Sequence, residues 1–328
     1  VRPTAPVSSA LHRINPARLF HPENHSPDQK KKASPAPAVE NCRLPRPAMT
    51  FRSHHGDNNG IQHLMLLGRG KDKILVLGDE DGQAAIYDDG GGAGAGSFHA
   101  LPRAPTAARR STEPLSVALG DGLCVLKECP GEGDKERSVE ALVWGQDPRE
   151  RGWRYSRRAL PPPPPHARKK EDPFGVHGLR YEKAGESGLW VSAAEGGTYA
   201  LDTAAGERSK VGDWALPFTW RAEYAPEHGL WFGFSSSPSY GEPSQLCAEW
   251  VTHLGCGRFC LARLVKEKKR PPRGFCSWCC VVDARDFAVL TGVEVRRDED
   301  GGGLRLVEHK TCRYSLGHEL SQITTFLC

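Results

Sequence analysis

The stretch that decides the fold reads GLWVS at residues 188–192 and returns as GLWFG at residues 229–233. The two tryptophans, Trp190 and Trp231, are 41 residues apart. Around them, short apolar runs with aromatic and β-branched residues at alternate positions are interrupted by glycine, a pattern typical of strands and hairpins. A repeat of about 40–50 residues with four short strands has the length of one β-propeller blade. The repeat therefore predicts an all-β fold.

The same pattern extends over most of the chain. Apolar runs begin near residue 61, and a Leu-Gly-Asp step at Asp79 recurs at Asp121, 42 residues later, which suggests equivalent places in successive repeats. We therefore predict a kelch-like β-propeller of about five to six blades, complete or incomplete, over residues 61–318. It would follow a partly disordered arm at residues 1–60 and precede a tail at residues 319–328.

The N-terminal arm is polar and rich in proline and lysine, so much of it buries too little apolar surface to become ordered. Within it, LHRIN at residues 11–15 predicts the end of a strand, and Leu19 and Phe20 predict a short anchored turn. The last apolar run, residues 304–314, needs a strand partner. Propellers commonly close with a strand from the other terminus, so we expect that partner to be the segment that ends at residues 11–15, of which this sequence contains the tail.

Composition excludes several classes of protein. The chain of 328 residues has 36 glycines, 26 prolines and a net charge of +4, a weaker imbalance than nucleic-acid-binding proteins show. It contains no apolar run long enough to cross a membrane. Its 11 cysteines, with no visible secretory leader, favour a reducing compartment, either the cytoplasm or the nucleus. We expect neither nucleic acid nor membrane as a partner.

The best metal candidates are Cys256, Cys260, Cys276 and Cys279, with Cys280 adjacent. Four thiolates could hold zinc in a tetrahedron, and a Cys-x2-Cys pair is the usual knuckle. Cys260, however, lies in an apolar strand pattern, and residues four apart in a strand are too distant for one tetrahedron. We therefore expect no stoichiometric zinc and no other cofactor.

Catalytic motifs are not apparent. The sequence has no Gly-x-Ser-x-Gly elbow and no His-Glu-x-x-His pair, and no helix pattern follows the glycine-rich residues 90–96. The tryptophans are expected to fill the space between sheets rather than line a ligand groove. These are Trp190, Trp214, Trp220 and Trp231.

Several segments together resemble a plant family of unknown function that is greatly expanded in grasses. They include KVGDWALPF at residues 210–218, RAEYAPEHGLWFG at residues 221–233 and HLG at residues 253–255, and the likeness spans most of the chain. The resemblance implies a kelch-like repeat organisation. It brings no activity and no catalytic residues with it.

The function expected from these observations is that of a non-enzymatic scaffold that binds a protein partner. One alternative is the substrate-recognition module of a ubiquitin ligase, although no F-box is visible. The other is a kelch-like oxidase with its site on the propeller axis, which would need convergent Cys, Tyr and His ligands that the sequence does not place.

Overall fold

The computed structural model describes fifteen stretches of the chain. They are residues 8–21, 39–52, 63–67, 73–77, 84–88, 97–101, 115–126, 139–146, 153–161, 180–184, 188–193, 197–235, 244–268, 284–298 and 303–317. Within these stretches the chain forms strands and one short 3₁₀ helix, and no α-helix. The predicted all-β class is confirmed.

The chain divides into two compact units. The first comprises Val1–Leu11, Ala48–Ala222 and Gln322–Leu327, and the second comprises His12–Pro47, Glu223–Ser321 and Cys328. This division falls within residues 61–318, the span predicted to be one domain. The predicted division into arm, propeller and tail stays a prediction.

The first unit begins its repeats with two four-stranded antiparallel sheets. Sheet 1 contains β4 (His63–Leu67), β5 (Lys73–Leu77), β6 (Ala84–Asp88) and β7 (Ser97–Leu101). Sheet 2 contains β8 (Leu115–Leu119), β9 (Gly122–Leu126), β10 (Val139–Gln146) and β11 (Trp153–Ala159). In each sheet consecutive strands are neighbours, as short connections favour.

Sheet 3 completes the first unit. It contains β12 (Arg180–Ala184), β13 (Gly188–Ala193), β14 (Gly197–Asp202) and β15 (Glu207–Gly212). The first part of β16 (Thr219–Ala225) runs parallel to β12, with Tyr181 opposite Arg221. Strand β16 ends in the second unit, where β17 (Leu230–Phe234) follows it.

Strand β9 shows how the sheets of the first unit pack. All five of its residues are buried. Leu123 and Val125 join a core cluster with residues of sheet 1, whereas Cys124 and Leu126 join a cluster with Leu189 and other residues of sheet 3. Because successive side chains of a strand point to opposite faces, sheet 2 is covered on both sides.

The second unit contains sheet 4, whose strands are longer. They are β18 (Ser244–Gly255), β19 (Arg258–Lys268), β20 (Ala284–Arg297) and β21 (Leu304–Gly317), all antiparallel. A fifth strand, β2 (Val39–Cys42), lies parallel to β21. The N-terminal part of the chain thus completes the last sheet.

The predicted donor of that fifth strand is wrong. The segment around residue 11 forms β1 (Ser8–His12), which pairs with β3 (Pro47–Arg52) rather than with β21. After β1 the chain turns into the 3₁₀ helix Pro16–Leu19, where the side chain of Asn15 accepts a 3.0 Å hydrogen bond from the Ala17 N–H. A capped helix stops the strand before it could reach β21. The predicted strand end and the turn anchored by buried Leu19 are confirmed.

The proposed equivalence of the two Leu-Gly-Asp steps is also wrong. Asp79 lies outside the described residues, but Leu77 ends β5, the second strand of sheet 1. Leu119 instead ends β8, the first strand of sheet 2. Glycine and aspartate favour tight turns after any strand, so the short motif does not identify a place in the repeat.

Candidate functional site

The segment from Gly212 to Phe218 crosses the end of sheet 3 and is fixed there by two buried hydroxyl groups. Thr198 Oγ1 donates a 2.7 Å hydrogen bond to the backbone oxygen of Trp214. Two residues later, the Leu216 N–H donates a 3.0 Å hydrogen bond to Ser192 Oγ. Thr198 and Ser192 are fully buried, and Leu216 is buried as well. Buried polar groups are costly unless paired, so these bonds define the segment's position closely.

The side chain held by this segment is exposed. Trp214 keeps 47% of its surface in solvent, and its ring centroid lies 5.9 Å from that of Trp190. A Cβ on Gly212 would collide with Nε1 of Trp214, so the indole lies against the backbone of Gly212. The expectation that Trp214 fills the space between sheets is therefore wrong.

The other three tryptophans differ from Trp214 in where they lie. Trp190 and Trp231 are partly buried, in β13 and β17 respectively. The ring of Trp231 packs 5.0 Å from that of Tyr224. The side chain of Trp220 lies outside the described residues. Trp190, Trp220 and Trp231 thus lie on strands, whereas Trp214 lies beyond the end of β15, a difference that the sequence did not predict.

Charged groups flank the exposed indole. Lys210 Nζ forms an ion pair with Asp213 Oδ1, and this contact raises the pKa of Lys210. We use the name Trp214 surface for the group formed by Trp190, Lys210, Asp213 and Trp214. This surface combines an apolar ring with one positive and one negative charge.

The turn between β14 and β15 is held by Arg158 of sheet 2. Its guanidinium donates to the backbone oxygens of Thr203 and Ala204, the former at 3.4 Å. The carboxylate of Asp202 accepts from the backbone N–H of Ala204 at 2.8 Å, and Gly206 follows with a φ of +75°. These contacts fix the turn of the β14–β15 hairpin, whose second strand carries Lys210.

In the second unit, Glu227 supports the hairpin between β18 and β19. Its Oε1 accepts a hydrogen bond from the Gly257 N–H and lies 2.7 Å from His253 Nε2. Partial burial raises the pKa of Glu227, but hydrogen bonds from its own backbone, His253 and Gly257 outweigh burial and lower that pKa to about 2. The carboxylate is therefore an anchor for the hairpin.

A second carboxylate–imidazole pair lies inside the same unit. His309 Nε2 is 3.0 Å from Glu294 Oε2, and both residues are buried. His309 Nδ1 accepts a 3.3 Å hydrogen bond from the His21 N–H, so in a neutral ring the proton sits on Nε2 and points at Glu294. Hydrogen bonds from Arg296 lower the pKa of Glu294. The pair ties the segment after the 3₁₀ helix to sheet 4.

The cysteines predicted as zinc candidates do not come together where they are described. Cys256 is exposed at the hairpin tip, with a φ of +53°, whereas Cys260 is buried in β19. Cys276 and Cys279, like Cys280, lie outside the described residues.

The structure instead assembles a cluster that the sequence reasoning missed. One ligand atom each from Glu40, Cys42 and Cys312 lies within 4.8 Å of the others, and this is the one such group with metal-binding potential in the described part of the chain. The strands that carry them are far apart in sequence and meet through the β2–β21 pairing. The alternation Glu-x-Cys, which places both side chains on one face of a strand, was the available local signal.

No described helix is long and apolar enough to be a candidate membrane span.

Three solved structures are similar to this chain at low sequence identity and low TM-score. The extracellular domain of a protein named as the hybrid two component system BT4673 of B. thetaiotaomicron is 10% identical, with a TM-score of 0.29 over 78% of this chain and 37% of that one. A chain in the S. cerevisiae assembly of dbp5 bound to nup159, gle1, ip6 and adp is 11% identical, with a TM-score of 0.25 over 78% and 60%. The β-propeller domain of Cps50 (Swd1) from Myceliophteria thermophila is 11% identical, with a TM-score of 0.24 over 80% and 76%.

The chain spans less than two thirds of the first two of these structures. No curated protein matches its sequence. A family model does match, over residues 2–251 and 238–314, which together cover nearly all of the sequence. The chain therefore belongs to the family described as protein of unknown function (DUF1668).

Proposed function

We propose that this protein is a non-enzymatic, protein-binding scaffold built as a kelch-like β-propeller, and that the Trp214 surface is its docking site. Sheets 1 and 2 support the propeller, because each has four antiparallel strands in chain order, as a blade does. The covering of sheet 2 on both faces and the addition of β2 to sheet 4 support it further.

The observation that carries the docking site is the rigid presentation of Trp214. Folding alone favours burying a large apolar ring, yet here two fully buried hydroxyl groups hold the segment that presents this indole to solvent. Binding normally costs entropy when side chains and loops become ordered. An aromatic side chain on a backbone that is already fixed avoids much of that cost, which is why such residues dominate binding energy at interfaces.

The chemistry of the surface defines the kind of partner. The indole offers a flat apolar face, so the partner would cover it with an apolar side chain. The ion pair between Lys210 and Asp213 is exposed and would meet polar groups of the partner, as the rim of a protein interface does. A folded protein domain or a peptide segment satisfies both requirements.

The test compares three full-length proteins: wild type, Trp214→Ala and Trp144→Ala. Trp144 is the matched control because it is a partly exposed tryptophan in the same unit, packed 4.6 Å from Tyr155. We expect wild type and Trp144→Ala to capture the same proteins and Trp214→Ala to lose them. Each would then be purified and its Kd measured directly. Captured partners that bind Trp214→Ala as tightly as wild type would contradict the docking site.

The propeller itself is tested by small-angle X-ray scattering. A compact chain of 328 residues has a radius of gyration of about 20 Å. A closed ring of blades is expected near that value. A much larger radius, or a scattering curve that fits two separated bodies, would contradict a single closed propeller while leaving the docking site to its own test.

A further inference from the structure

Three ligand atoms converge where the N-terminal strand β2 meets the last strand β21. They are a carboxylate oxygen of Glu40 and the sulfur atoms of Cys42 and Cys312, all within 4.8 Å of one another. The parallel register places Glu40 opposite Cys312 and Cys42 opposite Tyr314. Glu40 and Cys42 alternate along β2 and so share one face, the face toward which Cys312 also points.

The register does not suit a disulfide between the two cysteines. Cys42 and Cys312 are diagonal neighbours, offset by two residues along strands that lie about 4.8 Å apart, which places their Cα atoms about 8 Å from each other. A disulfide needs Cα atoms about 4.4–6.8 Å apart. Both cysteines are free thiols in the structure. Their closeness therefore calls for another chemistry.

Two sulfurs and one carboxylate oxygen are the ligands of a thiophilic divalent cation. In tetrahedral zinc sites with Zn–S bonds of about 2.3 Å, neighbouring sulfurs are about 3.8 Å apart. The 4.8 Å limit on the cluster lies close enough to that value for small rotations of the side chains to close it. Calcium and magnesium prefer ligand sets made of oxygen alone, so the two cysteines select against them.

We propose that Glu40, Cys42 and Cys312 bind one zinc-like divalent cation, which fastens strand β2 to strand β21. The metal would act as a clip between two segments separated by most of the chain. Since no such site forms in the unfolded protein, the binding free energy would stabilise the folded state. The proposal does not depend on the Trp214 surface.

The surroundings of the cluster fit this role. The buried phenol of Tyr314 lies next to Cys312, and the positive charge of Arg18 acts on Tyr314 from the 3₁₀ helix. Two thiolates, one carboxylate and a divalent cation carry a net charge of −1, which Arg18 would partly balance. Thiols bind a metal as thiolates, so affinity is expected to fall as pH is lowered.

The experiment titrates the reduced, chelator-treated full-length chain with Co²⁺ and then displaces the cobalt with Zn²⁺. We expect one equivalent of cobalt to bind with the near-ultraviolet charge-transfer absorption of cobalt thiolates. Removing a residue that only hydrogen-bonds to a metal ligand weakens metal binding by about 10–100-fold. Cys42 and Cys312 would contact the metal directly, so Cys42→Ser and Cys312→Ser should each weaken binding at least as much. Glu40→Gln should weaken binding without removing the thiolate absorption.

Two control variants make the result specific. Cys256→Ser removes an exposed cysteine in the same unit and should bind cobalt as wild type does. The double variant Cys276→Ser/Cys279→Ser removes the cysteines singled out from the sequence and should also bind. In addition, Zn²⁺ should raise the melting temperature of wild type but not of Cys42→Ser. Cys42 is only partly buried, so this variant keeps the test open even if Cys312→Ser does not fold.

Failure of wild type to bind cobalt would overturn the proposal. So would cobalt thiolate absorption that survives in Cys42→Ser and Cys312→Ser but disappears in Cys276→Ser/Cys279→Ser. Binding that is equally strong in Glu40→Gln and wild type would remove Glu40 from the ligand set and overturn the site as stated.

Discussion

The hydroxyl group of Thr198 donates a 2.7 Å hydrogen bond to the backbone oxygen of Trp214, and Thr198 itself is fully buried. This bond joins the start of β14 to a segment beyond the end of β15. It explains why a loop rich in glycine and proline can present a large aromatic ring in one position. The bond also gives the proposed docking site a feature that can be removed without touching the indole.

Thr198→Val keeps the volume of the side chain but removes the donor. The oxygen of Trp214 then loses its partner, which is expected to cost about 1–3 kcal/mol of unfolding free energy, measured by urea denaturation. Partner affinity should fall as well, because the segment is less firmly held. Thr198→Ser keeps the hydroxyl and is the matched control. Equal partner affinity for Thr198→Val and wild type would contradict the role of rigidity.

The second prediction concerns the leucines of the two GLW segments, which differ in burial. Leu189 is fully buried, whereas Leu230, at the same place in its segment, is 44% exposed. Leu189→Ala should therefore cost about 2–5 kcal/mol of unfolding free energy, as truncation of a core leucine does. Leu230→Ala, the control, should change it by about 0.5 kcal/mol or less, as most surface substitutions do. Similar losses for both would show that the segments are packed alike.

The sequence predicted the strands better than it predicted which side chains are buried. Short apolar runs bounded by turn residues identified strands such as β5, because a strand that is covered on both faces is apolar at successive positions. The same pattern could not say which side chains remain exposed, since that depends on what packs against each sheet. For this reason the positions of buried Leu189 and exposed Leu230 look identical in sequence.

The candidate metal site was harder still to predict. Cys42 and Cys312 lie at opposite ends of the chain, and their meeting depends on the parallel pairing of β2 with β21. The local spacing instead indicated Cys256 and Cys260. In the structure Cys256 is exposed and Cys260 is buried in β19. Residues four apart in a strand are about 13 Å from each other, which is too far for one metal ion, and Cys256 lies in the turn that precedes β19.

The third prediction concerns pH. Hydrogen bonds hold the pKa of Glu227 at about 2 in the folded protein, below the ordinary value near 4.5 expected when the chain is unfolded. A lowered carboxyl pKa stabilises the fold fully above the unfolded pKa, and the stabilisation disappears as pH falls toward the folded pKa. The melting temperature of Glu227→Gln should therefore lie below that of wild type at pH 7, and the difference should shrink between pH 4.5 and pH 2.

The control for this pH series is Glu308→Gln, which removes an exposed carboxylate from β21 in the same unit. Its melting temperature is expected to follow that of wild type more closely over the whole range. If the difference between Glu227→Gln and wild type stayed constant from pH 7 to pH 2, the effect of Glu227 would not be electrostatic.

The last prediction tests how the 3₁₀ helix is seated on sheet 4. Gly292 of β20 lies against Leu19, and a Cβ on Gly292 would be 2.5 Å from the Leu19 backbone oxygen and 2.9 Å from its Cβ. Leu19 is buried, and its backbone cannot move without shifting the capped turn. Gly292→Ala should therefore cost about 1–3 kcal/mol, as overpacking of a core does.

Gly145→Ala is the matched control, because Gly145 also lies within a strand but a Cβ there would meet no atom within 4 Å. Alanine limits the unfolded chain more than glycine does, so this variant should equal or slightly exceed wild type in stability. Differential scanning calorimetry of both variants gives the comparison. If Gly292→Ala melts at the temperature of Gly145→Ala, the turn yields easily, and the close approach of Leu19 to sheet 4 contributes little to the stability of the second unit.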